Sequence, residues 1–147
     1  GLPQQKIKDI RLASVLHDIG KIGISETILN KPGRLTEAEF EKIKSHPSIG
    51  ARMLEPLDIF KPLIPWIEFH HERYDGKGYP TGIAGDAIPL EAKIISIADA
   101  YDAMTSDRPY RKALDKQIAL KEIVNHAGTQ FDPTLVQIFS NLEIFNT

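Results

Sequence analysis

The distribution of histidine constrains the fold of this chain more than any other feature. Four of the five histidines stand in three short runs: His17-Asp18, His46-Pro47 and His70-His71. A single acid, Asp99, follows inside a strongly apolar stretch, where a carboxylate is costly to bury unless a cation or hydrogen-bond donors accompany it. Imidazoles and carboxylates are ligands that first-row divalent cations accept. These runs therefore predict a fold that gathers distant segments around a two-metal hydrolytic site.

Length and composition exclude several classes of protein and of metal site. With 147 residues the chain is predicted to form one domain, residues 1–147. The absence of cysteine excludes disulfides and thiolate metal sites. The balance of 18 basic and 20 acidic residues argues against DNA as a partner. No run approaches the roughly 20 apolar residues of a membrane span, and the N-terminus does not resemble a signal peptide, so we expect no membrane contact and a cytoplasmic location.

Apolar residues recur at helical spacing through most of the chain. The pattern over residues 6–16 predicts an amphipathic helix that delivers His17-Asp18 near its end. Thr36 and Glu39 form a capping-box signature that predicts a helix running to about Ser45. Prolines at the starts of later segments predict further helices. The predicted starts are Pro47, Pro62 or Pro65 for a helix that carries His71, and Pro133 after the cap Asp132.

Two other segments complete the pattern. Residues 90–104 are apolar almost all round and predict a central buried helix, with Asp99 and Asp102 three residues apart on one face. Residues 74–89 contain four glycines and two prolines, which is incompatible with a regular helix. This segment is predicted to be a structured loop or a short hairpin. A further helix, capped by Asp115, is predicted to end near Gly128.

Three motifs and a late segment resemble those of the HD-GYP domain. They are His17-Asp-Ile-Gly-Lys-Ile-Gly-Ile24, His70-His-Glu-Arg-Tyr-Asp-Gly-Lys-Gly-Tyr-Pro80, Ile97-Ala-Asp-Ala-Tyr-Asp-Ala-Met-Thr-Ser-Asp-Arg-Pro-Tyr-Arg111 and Gly128-Thr-Gln-Phe-Asp-Pro133. The resemblance covers essentially the whole chain. It implies an all-α helical bundle of the HD superfamily, and hydrolysis of the bacterial second messenger cyclic di-GMP to pGpG or GMP.

The resemblance also implies a ligand set. Asp18 would bridge two divalent cations, with His17 and Asp99 on the first and His46, His70 and His71 on the second. Iron or manganese is favoured, with a third ion also compatible. Similar proteins take a further histidine from a helix upstream of the segment where this chain begins, so the domain is expected to lack that first helix. We therefore expect the second cation to bind more tightly than the first.

Other residues are assigned to substrate by the same resemblance. Lys21 would contact phosphate or help to hold an additional metal through water, and with Asp18 it forms the predicted catalytic pair. Gly78 and Tyr79 would lie beside the substrate. Arg108 and Arg111 would contact phosphate or guanine, since guanidinium offers a fixed fork of donors, although salt bridges within their own turn are an alternative.

Ligating imidazoles normally donate their second N–H to a carboxylate or a carbonyl. Glu72, Asp75 and Asp102 are candidates for this orienting role, with capping or a surface location as the alternative. His126 has no neighbouring ligand types and is predicted to be structural.

The leading hypothesis is a metal-dependent cyclic di-GMP phosphodiesterase that forms one output domain of a longer bacterial signalling protein. The expected partners are a GGDEF-type cyclase domain, an upstream sensory or receiver domain and a second copy in a homodimer. The alternative is a degenerate regulatory module that keeps the fold and metal but acts by binding a partner protein. A general nucleotide hydrolase of the HD superfamily is disfavoured by the Gly-Tyr-Pro segment.

Overall fold

The structure, a computed structural model, describes residues 1–107, 112–142 and 145. Within these ranges the regular structure is helical, with eight α-helices, three 3₁₀ helices and no strand. A single isolated bridge joins Ala127 and Phe131. The all-α prediction is confirmed. The chain divides into two compact units, Gly1–His71 and Glu72–Thr147, while a single domain over residues 1–147 stays a prediction.

The first unit contains five α-helices. They are α1 (Gln4–Leu16), α2 (Glu26–Leu29), α3 (Glu37–Lys44), α4 (His46–Leu54) and α5 (Ile64–Glu68). Two 3₁₀ helices, Ile19–Gly23 and Asp58–Leu63, follow α1 and α4. The capping box predicted for α3 is present, since Glu39 N–H donates to the Thr36 hydroxyl and Thr36 N–H donates to the Glu39 carboxylate.

The helix predicted to carry His71 is shorter than expected. Helix α5 ends at Glu68, so His70 and His71 lie beyond it rather than on its surface. Proline at the second position suits the helix start, but only five residues continue the helix before Phe69 leaves helical geometry. The paired imidazoles are therefore placed by the turn that follows the helix.

Close backbone packing joins the 3₁₀ helix Ile19–Gly23 to α4. A Cβ atom added to Gly20 would collide with the His46 carbonyl oxygen and would lie 2.5 Å from Gly50 N. Only a residue without a side chain fits at this contact. Beneath it, the core of the unit contains Ala13, Ile24, Ile28, Ala51, Leu54, Leu63, Trp66 and Ile67.

The second unit contains three α-helices, α6 (Leu90–Thr105), α7 (Lys116–Asn125) and α8 (Pro133–Ser140). Both predicted caps are present: Asp115 accepts from Gln117 N–H, and Asp132 accepts from Thr134 and Leu135 N–H. The three helices pack against one another around a core of Ile97, Ile123, Phe131 and Val136.

The glycine-rich segment before α6 is a loop. Residues 74–89 contain one short 3₁₀ helix, Gly85–Ala87, and no strand, so the loop alternative is observed and the hairpin is not. Among the described helices of the whole chain, none has the length and apolar character needed to cross a membrane.

Candidate metal centre

Three histidines lie at the ends of helices in the first unit. The last carbonyls of a helix have no partner within the helix, so an N–H group from a following side chain can satisfy them. In each case the imidazole Nδ1 lies 2.6 to 2.7 Å from the carbonyl oxygen three residues earlier. The pairs are His17 with Ser14, His46 with Ile43 and His70 with Ile67. Because a carbonyl only accepts, Nδ1 carries the proton and Nε2 of the neutral ring carries a lone pair.

Four of the predicted ligands converge within the first unit. Asp18, His46, His70 and His71 each offer one atom, and these four atoms all lie within 4.8 Å of one another. His46 and His70 are fully buried, whereas Asp18 and His71 are partly exposed. The ring centroids of His70 and His71 are 4.0 Å apart, and those of His46 and His71 are 5.1 Å apart. Such a cluster of nitrogen and oxygen donors suits a divalent cation.

Three buried atoms of this group lack a hydrogen-bond partner. They are His46 Nε2, His70 Nε2 and Asp18 Oδ1. His46 Nε2 lies 3.2 Å from Asp18 Oδ1, yet the two atoms are not arranged as a hydrogen bond. A buried polar atom without a partner costs free energy, so a native structure rarely leaves several together without a use for them. The donor set and its orphaned atoms fit a bound cation.

The carboxylate of Asp18 faces two different sides. Oδ1 is directed toward His46, whereas Oδ2 lies 2.6 Å from Lys21 Nζ and 3.5 Å from His17 Nε2. Burial raises the pKa of Asp18, but the adjacent Lys21 ammonium helps to hold this pKa well below its ordinary value. The carboxyl is therefore ionised at neutral pH and can act as an anionic ligand.

Burial, with a smaller contribution from neighbouring His71, lowers the pKa of His70 to about 3. At neutral pH the ring is uncharged, and its Nε2 lone pair is available to a cation. This state is the one that metal ligation requires, because protonation of the ring would occupy that lone pair.

His17 lies beside the four-residue group but outside it. Its ring centroid is 4.9 Å from that of His70, and the two rings meet edge to face. Asp99 lies in the second unit, partly buried on α6. The assignment of both residues to a first cation stays a prediction.

Lys21 is placed by its ion pair with Asp18, and its side chain is 40% exposed. Contact with phosphate stays a prediction.

The other predicted substrate residues belong to the second unit. Gly78 and Tyr79 lie in the loop at residues 74–89, are partly buried, and precede Pro80, which follows a cis peptide bond. Arg108 and Arg111 lie outside the described residues, so their contacts remain predictions.

Of the two kinds of acceptor expected for the imidazoles, carboxylate or carbonyl, three histidines use the carbonyl, and the candidate acids bind other groups. His17, His46 and His70 use backbone carbonyls for this purpose. These acids form hydrogen bonds with groups other than the imidazoles. Glu72 accepts hydrogen bonds from Thr81 and Gly82, and Asp102 accepts one from Ser106. Asp75 pairs with Arg73. For His17 and His46 the sequence does contain a signal, since each lies at a predicted helix end, where carbonyl acceptors are free.

Comparison with known proteins gives a consistent set of relatives. A family model described as HD domain matches residues 1–135. The cyclic di-GMP phosphodiesterase response regulator RpfG of Xanthomonas campestris is 45% identical over 138 residues, which cover 92% of this chain and 36% of the relative. The 3'3'-cGAMP-specific phosphodiesterase 3 of Vibrio cholerae is 45% identical over 126 residues, 84% of this chain and 27% of the relative.

A solved structure agrees with these sequence matches. An HDGYP protein of Bdellovibrio bacteriovorus superposes with a TM-score of 0.68 and 26% identity, covering 93% of this chain and 45% of that one. Among the sequence matches, the chain spans about a third of the length of the curated relatives.

Proposed function

The chain belongs to the HD domain family, in its HD-GYP branch, and from this premise we propose that it is a metal-dependent phosphodiesterase that hydrolyses cyclic di-GMP to pGpG or GMP. One observation supports the proposal above the rest. Buried Nε2 atoms of His46 and His70 and the Oδ1 atom of Asp18 are left without hydrogen-bond partners beside one another. If these atoms had only a structural role, we would expect them to form hydrogen bonds within the protein.

We propose that two cations bind, with the ligand sets that the sequence suggests. Asp18, His46, His70 and His71 would hold one ion, and His17, Asp18 and Asp99 the other. The two sides of the Asp18 carboxylate support a bridging role. When bound, the cations supply Lewis acidity toward phosphoryl oxygens and lower the pKa of water. Nitrogen and oxygen ligands suit iron or manganese, and the position with three imidazoles is expected to retain its ion more strongly.

The chain's own residues have separable roles in this proposal. Asp18 supplies the shared anionic ligand. Lys21 neutralises the outer oxygen of that carboxylate at 2.6 Å and places a compact positive charge where it can meet a phosphate oxygen. The Nδ1 contacts with helix carbonyls fix the ring orientations, so the ligating atoms need little rearrangement when an ion enters.

Two alternatives to cyclic di-GMP hydrolysis are a different dinucleotide substrate and a role without catalysis. Relatives named for cyclic di-GMP and for 3'3'-cGAMP are both 45% identical to this chain, so identity does not separate the two dinucleotides. The degenerate regulatory module would bind metal and a partner protein without turnover. We favour the enzyme because the ligand cluster and the Gly-Tyr-Pro loop are both present.

Partners outside this segment are also proposals. The name of the Xanthomonas relative includes response regulator, and that protein is much longer than this chain. This supports a receiver or sensory domain upstream in the complete protein. A GGDEF-type cyclase domain and a homodimer are proposed as further partners, and a cytoplasmic location suits a nucleotide second messenger.

The test combines metal analysis with hydrolysis. The purified chain, loaded with iron or manganese and dialysed, is analysed for metal per chain and incubated with cyclic di-GMP or 3'3'-cGAMP, with products separated by chromatography. Asp18→Asn should lose bound metal and reduce hydrolysis by more than the roughly 10–100-fold that follows loss of a group that only orients a ligand. Asp58→Asn alters a carboxylate that is 90% exposed, and it should change neither readout.

Each departure from this result has a distinct meaning. A metal-loaded protein that cleaves neither dinucleotide would support the regulatory module. Preferential cleavage of 3'3'-cGAMP would change the substrate alone. Full and equal retention of two ions after dialysis would contradict the expected difference in affinity.

A further inference from the structure

Glu72 is the most buried acidic side chain in the part of the chain that the structure describes. Only 3% of its surface is exposed. An ionised carboxylate is expensive to bury, and it persists where hydrogen-bond donors replace the lost water. Glu72 directly follows His71 in sequence, which made it a candidate for orienting an imidazole. The donors that surround it show a different use.

Both carboxylate oxygens of Glu72 face the far arm of the loop at residues 74–89. Oε1 accepts from Thr81 N–H at 2.7 Å, from the Thr81 hydroxyl at 2.7 Å and from Gly82 N–H at 3.0 Å. Oε2 also lies 3.0 Å from Gly82 N. Hydrogen bonds to an ionised acceptor are stronger than neutral ones. Glu72 therefore joins the start of the loop to a point nine and ten residues later.

The loop closes tightly around this contact. Gly85 N–H donates to the Tyr74 carbonyl at 3.0 Å, so the two arms are also joined through backbone. Gly76 and Gly82 both have φ of +74°, and a Cβ on Gly82 would lie 3.2 Å from the Gly76 carbonyl oxygen. Such positive φ values favour glycine. The segment carrying Gly78, Tyr79 and Pro80 is thus held between two fixed arms.

The start of the loop is attached to the connection between α7 and α8. Tyr74 N–H donates to the Gln130 carbonyl at 3.1 Å, and Asp75 N–H donates to the Thr129 carbonyl at 2.8 Å. The Arg73 guanidinium donates to the Asp75 carboxylate through two nitrogens, at 3.0 and 2.8 Å. One arm is therefore anchored by these contacts, whereas at Thr81-Gly82 the other arm contacts the carboxylate of Glu72.

We propose that Glu72 is a positioning residue that fixes the Gly78-Tyr79-Pro80 segment in one conformation by accepting hydrogen bonds from Thr81 and Gly82. Its effect on catalysis rests on the proposed function, in which that segment meets the dinucleotide. A loop that visits other conformations binds substrate with an affinity reduced by the fraction of time spent in the competent one. Loss of Glu72 should therefore act on substrate binding and leave the metal centre intact.

The experiment compares Glu72→Ala, Glu72→Gln and Thr81→Val in the metal-loaded chain. The first readout is amide hydrogen exchange at Thr81 and Gly82, which reports local opening without reference to activity. Glu72→Ala should accelerate exchange of both amides by about 10-fold or more, because it removes their shared acceptor. Glu72→Gln keeps an acceptor oxygen and should restore most of the protection. Thr81→Val removes only the hydroxyl contact, keeps the Glu72 carboxylate and should give an intermediate result.

The second readout is steady-state hydrolysis. Glu72→Ala should raise KM for cyclic di-GMP by about 10-fold, with a smaller change in kcat and an unchanged metal content. Asp86→Ala is the matched control, since it removes a fully exposed acid from the same loop and should alter neither exchange nor KM.

Three outcomes would overturn the proposal. Unchanged exchange at Thr81 and Gly82 in Glu72→Ala would show that the contacts do not hold the loop. Equal effects of Glu72→Gln and Glu72→Ala would assign the role to the charge instead of the hydrogen bonds. Loss of metal in step with activity would place the effect at the metal centre. If the unmodified chain hydrolyses no dinucleotide, the proposed function fails, and the exchange measurement still decides the role of Glu72.

Discussion

The two units of this chain differ in whether their buried polar atoms have hydrogen-bond partners. In the first unit, His46 Nε2, His70 Nε2 and Asp18 Oδ1 are buried without hydrogen-bond partners. In the second, the buried carboxylate of Glu72 accepts from three donors, and Asp132 caps a helix while accepting from Lys93 at 2.8 Å. Both arrangements include carboxylate groups. The difference lies in whether the protein itself supplies the partner.

This difference separates structural groups from binding groups. A satisfied carboxylate such as Glu72 contributes to one conformation of its own unit. Unsatisfied atoms that face one another lower stability until a ligand from outside binds them. The chemistry of the orphaned atoms, two imidazole lone pairs and one carboxylate oxygen, identifies that ligand as a cation.

The largest effect is expected from the backbone contact that holds the orphaned atoms together. Gly20→Ala would place a methyl group on the His46 carbonyl and push the 3₁₀ helix Ile19–Gly23 away from α4. We expect a loss of about 3 kcal/mol in the free energy of unfolding, together with weaker metal binding. Urea unfolding and elemental analysis measure the two effects.

Gly23→Ala in the same 3₁₀ helix is the control. Its Cβ would meet only the Ile49 side chain, at 3.0 Å, and that side chain can adjust. Equal losses for the two variants would mean that the close approach at Gly20 does not position the site.

A smaller, graded effect is expected from pH. The folded pKa of His70 is about 3, below the ordinary value of 6.5, so the unfolded chain binds more protons than the folded chain between these values. Stability therefore rises with pH across this window and falls on acidification, by at most about 1.4 kcal/mol per pH unit from this group. Unfolding by urea at several pH values, with a chelator present, measures the slope.

His70→Gln should flatten that slope, whereas His126→Gln should leave it unchanged because His126 is exposed. A slope that is identical in all three proteins would show that the buried imidazole is not held neutral at the expense of stability.

The smallest effect is expected at Tyr101, a residue of the second unit whose buried polar atom lacks a hydrogen-bond partner within the described ranges. The Tyr101 hydroxyl is buried and has no partner among the described residues, although its ring packs edge to face on Phe139 and Phe145. If this atom is only an unsatisfied group, Tyr101→Phe should raise the free energy of unfolding by up to about 1 kcal/mol and leave metal content unchanged. A destabilised Tyr101→Phe would reveal a partner for this hydroxyl.

Local sequence predicted most helix starts, because capping is a short-range effect. The Thr36 capping box and the caps at Asp115 and Asp132 are all present. The end of α5 was missed, since periodic apolar residues up to His71 do not show where the last turn stops. The loop at residues 74–89 was predicted as a break, but its internal hydrogen bonds join residues nine or ten apart and have no short-range signal.

The candidate site divides in the same way. Residue types and the family resemblance predicted that Asp18, His46, His70 and His71 belong together, and the structure gathers them. The partners that orient the imidazoles were expected to be carboxylates or carbonyls, and for three histidines they are carbonyls. Ligand type is a property of a side chain, whereas the nearest acceptor depends on how a helix ends.

The sequence by itself determined the helical class, the caps and the set of residues able to bind a cation, because propensity, capping and donor chemistry act over a few residues. Tertiary structure alone decided which atoms are left without partners and which are satisfied. That outcome depends on packing between segments far apart in sequence, as at the contact of Gly20 with His46, where backbone groups approach too closely for any side chain.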